Sequence, residues 1–141
     1  MTENVTDMTP PQERPEKIAE ANFSRWNEAL LTRDPQRVAA LYAVDATFLP
    51  TVSGDFKRGP AEAEGYFKHF LEKTPSGEIV EGAVQTLGQN CYLHSGMYNF
   101  EVGPDDNRST MEARFSMVWR TDERGDWKII HHHSSVKPKK H

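Results

Sequence analysis

Trp127-Lys-Ile-Ile-His-His-His-Ser-Ser-Val136 is an apolar, β-branched run that turns into three histidines and two serines just before Lys137-Pro138. Tryptophan, isoleucine and valine suit a pleated, half-buried surface, so the stretch predicts a strand. A strand that only packs has no use for a row of titratable and hydroxyl groups. Side chains alternate faces along a strand, and strict alternation divides the run in two. Trp127, Ile129, His131, His133 and Ser135 share one face, and Lys128, Ile130, His132, Ser134 and Val136 share the other. The first set passes from large apolar groups to imidazoles and a hydroxyl, the gradient expected from a core to a pocket mouth, and is read as the inward face. On that reading His132 is structural or at an interface, and Ser134 is a surface or packing serine.

The rest of the chain supplies walls for that face. Ala19, Phe23, Trp26 and Leu30 recur at three- and four-residue steps and predict a helix over Glu16–Thr32. Asp34-Pro35 restarts a second, short helix with an acceptor at its cap and proline at its first position, its inner side being Val38, Ala39, Leu41 and Tyr42. Ala46–Pro50 reads as a brief strand and Thr51–Gly59 as a loop. Pro60 opens a third helix whose inner side is Ala63, Tyr66, Phe67, Phe70 and Leu71. Glu78–Leu87, Cys91–Val102, Ser109–Arg120 and Trp127–Val136 then predict four strands joined by short turns, hence antiparallel neighbours. Helices followed by a meander are an α+β pattern: three N-terminal helices against a curved, mostly antiparallel sheet that closes into a cone.

Bulk properties bound the rest. One domain over 16–136 accounts for most of the 141 residues, with a polar N-terminal arm at 1–15 and a basic tail at 137–141. Hydrophobic residues make up 36% and charged residues 27%, the balance of a globular chain. A net charge of −4 gives no reason to expect nucleic acid. Nothing is long and apolar enough for a membrane span. The acidic Met1-Thr-Glu-Asn start lacks a signal core, so a cytoplasmic location is expected. Cys91 is the single cysteine, which rules out an internal disulfide, and it reads as a small buried strand residue.

His131 and His133 lie about 7 Å apart at Cα in an extended strand. That pair could share a metal, but zinc takes three or four ligands and no Asp, Glu or Cys sits in this strand. Ser135 as a nucleophile would need a base with a carboxylate behind it, so a ligand-binding hydroxyl is the better reading. Thr51 follows the short strand, and Tyr66 lies on the inward side of the third helix, where packing alone would also explain it. Arg114 stands in an otherwise alternating apolar strand and either reaches solvent or meets an anion. Tyr98 and Phe100 read as walls.

With this order of elements, the chain resembles the association-domain branch of the nuclear-transport-factor-like, SnoaL-like superfamily, from Phe23-Ser-Arg-Trp26 onward. His131-His-His-Ser-Ser135, with Leu49-Pro-Thr51 and Gly65-Tyr-Phe67 upstream, is similar to the iota-class carbonic anhydrases. The resemblance implies reversible hydration of carbon dioxide to bicarbonate, by a lyase that works without a metal. It implies Thr51, Tyr66 and Ser135 as the hydroxyls of the bicarbonate pocket, with His133 flanking. Around them, Phe67, Tyr98, Arg114 and His131 complete the expected binding residues. The alternative cofactor is zinc or manganese at His131 and His133. A homodimer or higher homo-oligomer is the expected assembly. Two rivals stand beside this reading. One is a cyclase or isomerase of the same cone, which wants an inward carboxylate; the other is a non-catalytic oligomerisation or small-ligand-binding domain.

Overall fold

The computed structural model describes residues 14–139. The expected arm falls mostly at 1–13, outside the described residues, as do Lys140 and His141 of the tail. In chain order the elements are α1 (Pro15–Leu31), α2 (Pro35–Ala39), β1 (Tyr42–Leu49), β2 (Lys57–Arg58), α3 (Gly59–Phe70), a 3₁₀ turn (Leu71–Lys73), β3 (Ser76–Gly88), β4 (Cys91–Val102), β5 (Ser109–Thr121) and β6 (Trp127–Val136).

Each α-helix carries a proline in its first two residues, Pro15, Pro35 and Pro60, where the missing N–H costs nothing. The α1 stripe of Ala19, Phe23, Trp26 and Leu30 is buried, and Asp34 caps α2 by accepting from the Gln36 N–H at 3.0 Å. The expectation that Leu41 and Tyr42 extend α2 is overturned. The helix stops at Ala39, and the Leu41 carbonyl accepts from the Ile129 N–H at 2.8 Å, so the chain has already entered the sheet. Sheet pairing outweighs local helical spacing there. Lys57-Arg58, expected in a loop, pairs with Thr47 and Phe48.

The six strands run in the order β2-β1-β6-β5-β4-β3. The four-strand meander is present, and β1 adds to it as the parallel neighbour of β6, the other pairings being antiparallel. The helices cover one face of this curved, open sheet. Between them lies an aromatic core in which Trp26, Trp119, Tyr98, Phe48, Phe67 and Phe100 are fully buried. Cys91, expected to be buried, is only half so, at the start of β4.

Two of the register shifts in the sheet matter most here. In β3 the register slips between Ile79 and Glu81, opposite Tyr98 and Met97. Just beyond it Gly96 pairs with Gly82, and the backbones approach so closely that a Cβ on Gly96 would sit 2.0 Å from the Glu81 carbonyl oxygen. The second bulge is in β6. Ile129 pairs with Trp119, but the next β5 residue, Val118, pairs with His131, so Ile130 is an extra residue without its own partner. A bulge of this kind exchanges the faces of everything beyond it.

Candidate functional site

The β6 bulge overturns the inward assignment of the strand's second half. Trp127 and Ile129 face the core as expected, but beyond Ile130 the inward residues are His132, 1% exposed, and Ser134, 5% exposed. His131, His133 and Ser135 point to the uncovered side of the sheet. There the Thr47 hydroxyl lies 2.7 Å from His131 Nδ1, and the Arg114 guanidinium donates to Ser135 Oγ at 3.0 Å. Strict alternation assumed one residue per rung, and one inserted isoleucine is enough to reverse it.

The inward groups form one hydrogen-bonded chain. Trp26 Nε1 donates to Tyr42 Oη at 3.2 Å, and Tyr42 Oη lies 2.8 Å from His132 Nδ1. On the other side of the ring, His132 Nε2 lies 3.2 Å from Tyr98 Oη. Tyr98 Oη contacts Ser134 Oγ, which contacts Thr51 Oγ1. Tyr66 Oη donates to the Thr51 carbonyl at 2.9 Å and holds that residue in place.

Donor bookkeeping sets the direction of this chain. An indole N–H can only donate, so Tyr42 accepts from Trp26 and is left with one proton, for which His132 Nδ1 is the partner at hand. That assigns the Nε2–H tautomer to His132. The remaining steps then run His132 to Tyr98, Tyr98 to Ser134 and Ser134 to Thr51, leaving the Thr51 hydroxyl proton free to point at a ligand.

The electrostatics agree with an uncharged site. Burial, then the neighbouring His131 and His133, push the His132 pKa down to about 3, and its ring stacks on Phe48 at 4.9 Å between centroids. Burial raises the Tyr42, Tyr66 and Tyr98 hydroxyls well above their usual range, so all three stay protonated. His131 is lowered by its partial burial and by His133.

His132, Tyr98, Ser134, Thr51 and Tyr66 line a chamber completed by Phe67, Phe70 and Phe100, in which a water-sized sphere has about 10 Å³ for its centre. That is about the room needed for one water molecule. Among the described residues no carboxylate lines it. Of the residues singled out in the sequence, Thr51, Tyr66, Phe67 and Tyr98 meet at this chamber. His131, His133, Ser135 and Arg114 do not. Ser134 and His132 are the groups that alternation places on the wrong face, and Trp26 and Tyr42 read in the sequence only as packing residues. The adjacent Ile129-Ile130 pair, apolar on both faces at once, was the available sign of a bulge. Among the described residues no group of three or more His, Cys, Asp or Glu side chains is placed to hold a metal ion. His131 and His133 thus remain a pair, short of a zinc or manganese ligand set.

Residues 16–138 match the family described as the calcium/calmodulin dependent protein kinase II association domain. The chain belongs to that family. A protein from Xanthomonas campestris, provisionally described as such an association domain, is 36% identical over 92% of both chains, with a TM-score of 0.85. A Parabacteroides distasonis protein provisionally described as a ketosteroid isomerase is 21% identical over 93% of both chains, with a TM-score of 0.65. One from Streptomyces avermitilis, provisionally described as a dehydratase of the nuclear-transport-factor-2-like family, is 17% identical over 92% of this chain and 100% of its own, with a TM-score of 0.73. At the two lower identities the likeness establishes the shared cone fold. None of the three descriptions mentions a carbonic anhydrase. No curated protein matches the sequence. Among the described residues no helix is long and apolar enough to cross a membrane.

Proposed function

We propose that this association-domain protein hydrates carbon dioxide reversibly in the chamber between Thr51, Tyr98, His132 and Ser134. The observation that carries the reading is the neutral hydroxyl chain ending on a cavity of about 10 Å³. As it stands the chamber has room for about one water, so carbon dioxide must enter as it widens. Its aromatic walls suit a small apolar molecule, and the free Thr51 proton is a donor for an oxygen on which negative charge grows.

The chemistry follows from what the chamber lacks. Zinc would lower bound water from pKa 15.7 to about 7; here the residues offer no strong base, since His132 is held neutral down to about pH 3. A hydroxyl can instead take and give a proton in the same step. As the water oxygen bonds to carbon, one water proton passes to Thr51 Oγ1 while the Thr51 proton passes to an oxygen of carbon dioxide. One C=O π bond is broken, the hydroxyl is regenerated, and the product is carbonic acid, which ionises to bicarbonate and a proton once outside. Ser134 and Tyr98 hold Thr51 in the orientation the exchange needs. No metal has a role in this scheme. The deciding experiment is hydration by metal-stripped protein with metal content measured on the same sample: full turnover supports the hydroxyl relay, and loss restored by zinc or manganese refutes it.

A second reading is an isomerase or dehydratase of the SnoaL-like kind, and the provisional descriptions of the structural neighbours support it more directly than they support hydration. Such enzymes need a base at the substrate, and among the described residues the chamber offers only the weakly basic His132. Turnover of a ketosteroid or a hydroxylated ring, with no hydration of carbon dioxide, would select it. Under either reading a homodimer or higher homo-oligomer is proposed from the family's description as an association domain, to be read by light scattering.

A further inference from the structure

The Thr51 and Ser134 walls of the chamber are buried, 3% and 5% exposed, and a second hollow stands beside them. This outer hollow, about 320 Å³, is lined by Pro50, Val52, Ser53, Asp55, His133 and Ser135 among others, and Ser134 belongs to the walls of both spaces. Thr51, 3% exposed, sits between Pro50 and Val52 of the outer wall and bonds to Ser134. The Thr51–Ser134 contact is therefore the partition.

Val52, next in the chain, has φ 55°. A β-branched residue in the left-handed region is a true outlier, and strain of this kind persists only where surroundings impose it. Thr74 also has positive φ, but its hydroxyl donates to the Gly103 carbonyl at 2.8 Å and so has a bond in return. The Val52 side chain is 60% exposed and apolar and has no such compensation. What holds the turn is its neighbour Thr51, through Ser134 and Tyr66.

The geometry points to the Pro50–Ser53 turn as a gate between the chamber and the outer hollow, with Val52 as its strained hinge. When Thr51 leaves Ser134, Val52 relaxes to negative φ and the two spaces join; the strain, present only in the closed form, keeps opening accessible. The outer hollow supplies what the chamber lacks: the exposed His133 imidazole and the Asp55 carboxylate. A neutral molecule enters through it, and a product that ionises is received there. Naming carbon dioxide as the traveller rests on the proposed function; the gate itself does not.

The test is the exchange with water of the His132 Nε2 proton, followed by NMR on protein labelled with ¹⁵N-histidine, in wild type, Val52→Gly and Val52→Asn. Glycine and asparagine accept the left-handed region, so both should close the gate and slow exchange about three- to tenfold, the larger part of the ordinary cost of that conformation. Equal or faster exchange in both variants, or a proton exchanging too fast to observe in the wild type, overturns the gate. Hydration measured on the same samples separates the two claims. A wild type that hydrates no carbon dioxide removes the proposed substrate, while the exchange rates still judge the gate.

Discussion

Tyr42 Oη lies 2.8 Å from His132 Nδ1, and that one contact ties the hydroxyl chain to the indole of Trp26 and to the first strand of the sheet. It also makes His132 a hydrogen-bonded neutral imidazole inside an aromatic box, which has a consequence in acid. The folded form takes up a proton at His132 only near pH 3, whereas an unfolded histidine does so near 6.5. Between those values the unfolded chain binds more protons, so stability rises with pH through the window. The His132 contribution is complete above about pH 6.5 and is lost as pH falls toward 3. Urea unfolding at pH 7 and pH 4.5 should show His132 costing the wild type about 2–3 kcal/mol over that interval. His132→Asn should remove that part of the slope, with a remainder from His94 and His131, which are also shifted down.

Tyr66 acts on the chamber through a backbone atom. Its hydroxyl is the bond that fixes the Thr51 carbonyl, at 2.9 Å. Tyr66→Phe should cost about 1 kcal/mol of stability and, by loosening Thr51, about tenfold in hydration rate. A rate unchanged within twofold in a stopped-flow assay would mean that Thr51 needs no such support.

The bulge in β3 makes Gly96 irreplaceable. A methyl group there would lie 2.0 Å from the Glu81 oxygen and 2.7 Å from the Gly82 Cα, both backbone atoms that cannot rotate away. Gly96→Ala should destabilise the fold by about 3 kcal/mol, the upper end of overpacking costs. Gly54→Ala, which meets nothing within 4 Å, should be near neutral. Denaturant midpoints of the two variants make the comparison.

Most of the architecture was legible because the fold writes it as periodicity. The α1 stripe, the proline-opened helices and the four meander strands each stand in the sequence as a spacing or a turn residue. What was illegible depends on partners far away in the chain. Leu41 and Tyr42 have helical spacing and are claimed by the sheet only because Ile129 is beside them. The site split along the same line. Thr51, Tyr66, Phe67 and Tyr98 reach the chamber as single positions on elements of known phase. The serine and histidine were misassigned by one residue each, because a bulge is a property of the pairing between β5 and β6 rather than of β6 alone.

That one-residue difference supplies the sharpest measurement. Ser134 and Ser135 adjoin in sequence and face opposite sides of the sheet, so each serves as the control for the other. Carbon dioxide hydration should fall about a hundredfold in Ser134→Ala, the scale of misplacing the reacting Thr51 hydroxyl that Ser134 holds. It should stay within about twofold of wild type in Ser135→Ala, whose hydroxyl meets only Arg114. A wild type no faster than the uncatalysed reaction, or a pair in which Ser135→Ala is the inactive member, would contradict the account.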